Sequence, residues 1–127
     1  MKWNALELVQ ESGGTVGGTV EATRGQVDVR YADFATLFID YVKGDEGTIY
    51  VYPKFRHATA GTAYAWQGFG TTEGDRTATA ERLKFTADAS AYKTFDVRGI
   101  SYMDIFSLVV GTPTGALGLY VTLEGSD

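Results

Sequence analysis

The sequence predicts an all-β protein, a single antiparallel β-sandwich of about eight strands, for which a jelly roll is one available topology. Three observations predict it. Residues 35–57, ATLFIDYVKGDEGTIYVYPKFRH, set two runs of β-branched and aromatic residues on either side of Gly44-Asp45-Glu46-Gly47. Alternation around a glycine-bounded turn predicts a β-hairpin, with Gly44 or Gly47 at positive φ. A similar device closes the chain: an apolar run ends at Gly111, turns through Thr112-Pro113-Thr114-Gly115 and returns as ALGLYVTLE. No segment shows a sustained, capped amphipathic helix.

The elements follow in order. Residues 3–10 read as a strand or a short helical turn, because Trp3, Leu6, Leu8 and Val9 fit neither period. Residues 12–19, SGGTVGGT, read as a flexible loop. Val27, Val29 and Tyr31 alternate with Asp28 and Arg30, as in a half-buried strand. Next, Leu37, Ile39 and Tyr41 share one face opposite Phe38, Asp40 and Val42. After the turn, Ile49, Val51 and Phe55 lie opposite Tyr50, Tyr52 and Lys54. Pro53 cannot donate to a ladder, so it marks this strand as an edge or breaks it. Residues 62–67 predict a short strand and residues 68–81 a long exposed loop. Leu83 and Phe85 mark one further strand, Phe95 and Val97 another. Residues 101–110 are apolar on both faces, as in a central strand covered on each side. The last strand alternates most regularly, with Leu117, Leu119, Val121 and Leu123 on one face.

Composition bounds the function. A chain of 127 residues suits one domain spanning 1–127, in which residues 1–20 can serve as an N-terminal arm. The absence of cysteine excludes disulfides and thiolate metal sites. A net charge of −5 with scattered basic residues argues against nucleic acid as a partner. No run is long enough for a membrane helix, and residues 1–14 lack the apolar core of a signal peptide. The chain is therefore expected to be made in the cytoplasm, without membrane partners.

Candidate chemistry is sparse. His57 is the one histidine and reads as a strand-end surface residue, since no serine sits in a nucleophile elbow. Gly13-Gly14-Thr15-Val16-Gly17-Gly18 lacks the Lys-Ser/Thr of a phosphate loop. Asp45, Glu46, Glu73 and Asp75 lack calcium-loop spacing and read as solvated turn acids. Asp40, Asp96 and Asp104 each interrupt a strand. They suit a glycosidase pair, or partners for Arg30 and Arg98, or an open sheet face, and the structural roles are favoured. Tyr50, Tyr52, Tyr64 and Trp66 can serve as a sugar platform, a subunit interface or core, and stand as candidate interface residues. No catalytic residue, metal ligand or cofactor is assigned.

The stretches ATLFIDYVKGDEGTIYVYPKF, TAYAWQ and YKTFDVRGISYMDIFSLVVGTPTGALGLYVTL resemble small β-sandwich structural proteins of tailed bacteriophage virions. The resemblance spans residues 35–123 and rests on turns and core positions, leaving the N-terminal 34 residues outside. It implies a virion address, homo-oligomers, no cofactor, and partners such as the major capsid protein. The expected function is a capsid decoration or head-associated subunit. A neck, tail or fibre component is one alternative, a carbohydrate-binding module another, and an enzyme is not expected.

Overall fold

The computed structural model describes residues 2–16, 18, 22–59, 61–65 and 83–126. These form nine strands: β1 (Lys2–Thr15), β2 (Ala22–Asp28), β3 (Phe34–Val42), β4 (Thr48–Arg56), β5 (Tyr64–Ala65), β6 (Leu83–Phe85), β7 (Ala89–Asp96), β8 (Tyr102–Val110) and β9 (Ala116–Ser126). Two sheets result. One has the order β1-β9-β3-β7; the other has the order β2-β8-β4-β5, with β6 also paired to β4. Every pairing is antiparallel. Apart from β4, β5 and β6, which share a sheet, each strand is followed by one in the opposite sheet.

Alternation decides what lies between the sheets. In β9, Leu117, Leu119, Val121 and Leu123 point inward. Leu37, Ile39 and Tyr41 of β3 do the same, facing Ile49, Val51 and Phe55 of β4 and Met103, Ile105 and Val109 of β8. Burying each such side chain contributes about 1.5–3 kcal/mol, so the core rests on the period-two pattern. Strand β8 runs between β2 and β4 and is buried on both faces. Its other face carries a second cluster in which Phe106 and Leu108 pack with Tyr50 and Tyr52 of β4.

Both expected hairpins are instead corners between sheets. Strand β3 pairs with β7 and β9, whereas β4 pairs with β5, β6 and β8. Strands β8 and β9 likewise lie in different sheets. Alternation flanking a glycine turn is common to a hairpin and a corner; the ladder partners separate them, and these are distant in sequence. Gly44 and Gly47 also lack positive φ, which is found instead at Gly61, Gly99 and Gly111.

Three further expectations are revised by pairing. Strand β4 is interior, with β8 on one side and β5 and β6 on the other. Among the described residues β6 reaches Val51 and β5 begins at Lys54, so none of these pairs with Pro53 on that side, where its missing N–H would matter. Residues 12–15, expected as loop, belong to β1, and Val16 is fully buried. The N-terminal segment expected as an available arm is tied to β9 from Lys2 to Thr15. Its ladder shifts register between Leu8 and Gln10, and again between Gln10 and Gly14. The glycines of ESGGT fall at the second shift, where a strand must bulge.

Candidate functional site

The two glycine turns meet at Glu46. This side chain, expected as a solvated turn acid, is fully buried. The Tyr41 hydroxyl donates to Oε2 at 2.6 Å, and the Gly44 N–H donates to the same oxygen. The Thr114 and Gly115 N–H groups donate to Oε1 at 3.0 and 2.8 Å. One carboxylate therefore joins the β3–β4 corner to the β8–β9 corner. Burial alone pushes the Glu46 carboxyl up, but its hydrogen bonds to Tyr41, Gly44, Gly115 and Thr114 outweigh that and hold it at about 2. Burial raises the Tyr41 hydroxyl above its ordinary range, and the bond to Glu46 adds to this.

Backbone approach completes the joint. The Asp45 N–H donates to Thr114 Oγ1 at 2.7 Å, and the Gly47 N–H donates to the Val110 carbonyl at 2.9 Å. A Cβ on Gly44 would collide with the Gly115 nitrogen and with Thr114; one on Gly115 would lie 2.6 Å from the Val42 carbonyl oxygen. Gly111 turns the chain out of β8 at φ +107°, a conformation that disfavours a side chain. Both oxygens of Glu46 thus face donors, an arrangement built for fastening.

The three strand aspartates are kept apart. Asp40 and Asp96 lie on the outer face of the β1-β9-β3-β7 sheet, and Asp104 on the outer face of the other. Asp40 pairs in register with Ser90, at the far end of β7 from Asp96, which separates these two carboxylates by about 20 Å. A glycosidase pair needs no more than about 10 Å. Asp40 accepts the Ser90 hydroxyl at 2.9 Å. Asp96 binds the Arg98 guanidinium at 2.6 Å, and that hydrogen bond holds its carboxyl at about 2. Asp104 is buried and bridges Arg56 at 2.5 Å and Gln26 at 2.9 Å. The expected arginine partner is thus found for Asp96, whereas Asp104 takes Arg56 and Arg30 pairs with Asp28.

The candidate interface aromatics divide. Tyr50 and Tyr52 are buried within the chain, Tyr52 stacking on Phe106 at 6.0 Å. Tyr64 is 53% exposed and pairs with Phe55, so it faces away from Tyr50 and Tyr52. Trp66, Glu73 and Asp75 lie outside the described residues. His57 is exposed beyond the end of β4, its ring 6.2 Å from that of Tyr64. No group of three metal-ligating side chains occurs among the described residues, and none of their helices is long and apolar enough to cross a membrane.

A different aromatic set reaches the surface. Register places Tyr92 beside Phe38 and Phe38 beside Tyr120, across β7, β3 and β9. The Phe38 and Tyr92 rings are 5.8 Å apart and tilted by 36°. Tyr92 is 69% exposed and Phe38 38%. Together with Asp40, Ser90 and Ala91, the three rings line a shallow groove of about 370 Å³. The sequence put Phe38 on the face opposite Leu37, Ile39 and Tyr41; what it lacked was the pairing that aligns it with Tyr92 and Tyr120.

No protein-family model and no curated protein matches the chain. Solved structures do share its fold. The SPBc2 prophage-derived protein YomS aligns with a TM-score of 0.61 at 14% identity, over 98% of this chain and 96% of that one. A chain from the disulfide-linked pili of Bacillus endospore appendages aligns at 0.55 and 12% identity, over 99% and 87%. A chain of the infectious bursal disease virus Gx strain aligns at 0.55 and 9% identity, over 98% of this chain but 32% of that one.

Proposed function

We propose that the chain is a structural subunit of a bacteriophage particle and works by contact rather than catalysis. The observation that carries this reading is end-to-end correspondence with a prophage-derived protein, with little left over on either side. The strand orders β1-β9-β3-β7 and β2-β8-β4-β5 support a jelly roll, a form that recurs in viral capsid domains. Separation of Asp40, Asp96 and Asp104 supports a non-catalytic role.

The finer reading is a capsid decoration or other head-associated subunit, located on the virion and binding itself and the major capsid protein. A rigid sandwich fastened at its corners holds its end loops and edges in fixed positions, as repeated docking requires. Among the described strands, β1 and β7 are the edges of one sheet, and exposed Tyr31 and Tyr64 offer amphipathic contact surface. Immunogold labelling of purified particles tests the location. Label over the head supports decoration; label confined to neck, tail or fibres replaces it with that alternative; unlabelled particles reject both.

A further inference from the structure

The groove across β7, β3 and β9 combines an aromatic row with polar flanks. Its centre is the row Tyr92, Phe38 and Tyr120. The neighbouring row on one side is Thr94, Thr36 and Thr122, and on the other Ser90, Asp40 and Gly118. Exposed rings are thus bordered by hydroxyls on one flank and by a hydroxyl and a carboxylate on the other. Gly118 brings no side chain beside Asp40, which opens the groove at that point. Asp40 Oδ1 accepts the Ser90 hydroxyl, and Asp40 lines the groove.

We infer that this groove binds a short stretch of neutral polysaccharide. The C–H faces of a sugar ring carry slight positive charge and suit the negative face of an aromatic ring, while its equatorial hydroxyls need polar partners around the rim. Charge selects among polyols. Among the described residues, Asp40 is the one charged side chain lining the groove, and no lysine or arginine lines it, on a chain of net charge −5. Phosphate, sulfate and uronate groups would be repelled, whereas a hydroxyl can donate to the carboxylate. Size selects against a protein partner. The aromatic row crosses two strand spacings, about 10 Å, so a square patch of that side is on the order of 100 Å², against about 800 Å² per partner in a stable protein interface. A purely apolar ligand would strip water from the bordering Thr, Ser and Asp groups without replacing it. The inference is independent of the virion reading, since it concerns one face of the fold wherever the protein resides.

The test is an NMR titration of the isotope-labelled full chain with cellohexaose, maltohexaose and chitohexaose, each at millimolar concentration. Saturable shifts with at least one, centred on residues 38, 40, 90, 92 and 120, are expected. Tyr92→Ala, at an exposed position, should weaken binding at least about tenfold with no change in melting temperature, and Asp40→Asn should weaken it too. No shifts with any of the three sugars would overturn the inference. So would shifts centred elsewhere, or wild-type affinity in folded Tyr92→Ala.

Discussion

Glu46 shows how much one residue can organise. A buried carboxylate is costly unless donors surround it, and here the donors are a tyrosine hydroxyl and N–H groups from two turns. Glu46→Gln puts an amide NH₂ among those donors, so we expect about 2–3 kcal/mol of lost stability in urea melts. The pH dependence has a definite sign. The native carboxyl sits at about 2 against an ordinary 4.5, so the unfolded chain takes up the proton first as pH falls. The stabilisation is complete above pH 4.5 and is lost towards pH 2. The stability difference between wild type and Glu46→Gln should therefore narrow over that interval; a constant difference would show that the carboxylate charge is not what holds the corners. The glycines differ just as sharply. Gly44→Val should destabilise clearly, because its Cβ meets Gly115 and Thr114, while Gly47→Val should do much less, its nearest neighbour being the Val110 oxygen at 3.7 Å. Equal melting temperatures for the two variants would refute the close approach. Both glycine turns were visible in the sequence, but not their meeting. Contact between turns so far apart leaves no periodic trace, which is why Glu46 read as a solvated acid.

At the scale of elements, alternation carried most of the information. Strands β3 and β9 each announce which face is buried, because a period of two survives wherever a ladder is regular, whereas β4 and β8 are buried on both faces. Replacing Leu119, fully buried in β9, by alanine should cost about 2–5 kcal/mol. Thr122→Ala, on the outward face, should change the thermal midpoint little. The second half of β1 was ambiguous for a physical reason: its register shifts after Leu8 and again after Gln10, and each bulge disrupts the alternation. Partner choice was illegible for all of them, since a strand followed by a glycine turn looks alike whether it folds back or crosses over. Pairing of β1 with β9 also makes a prediction. Deleting residues 1–15 removes an entire ladder and exposes β9 as an edge, so the truncated chain should melt well below the full-length protein. Unchanged melting would mean that β1 is dispensable to the sandwich and free to act as an arm.

For the whole molecule, the fold supports the proposed role in contact. Two sheets close over a continuous apolar core, the corners are fastened by one carboxylate, and the strand aspartates are dispersed over opposite faces. The candidate interface was the least legible feature. Tyr and Trp suit core, interface and sugar platforms alike, and only packing separates them: Tyr50 and Tyr52 are buried in a second cluster on the far face of β4, while Phe38, Tyr92 and Tyr120 line a groove. Self-association, if part of the role, should bury more than about 1,000 Å². The most direct measurement is quantitative mass spectrometry of purified phage particles from the genome that encodes this chain, with copies counted against the major capsid protein. A virion subunit should be present at a fixed, reproducible ratio, with many copies per particle if it decorates the head. Its absence from purified particles, with the protein found free in the lysate, would rule out the virion role.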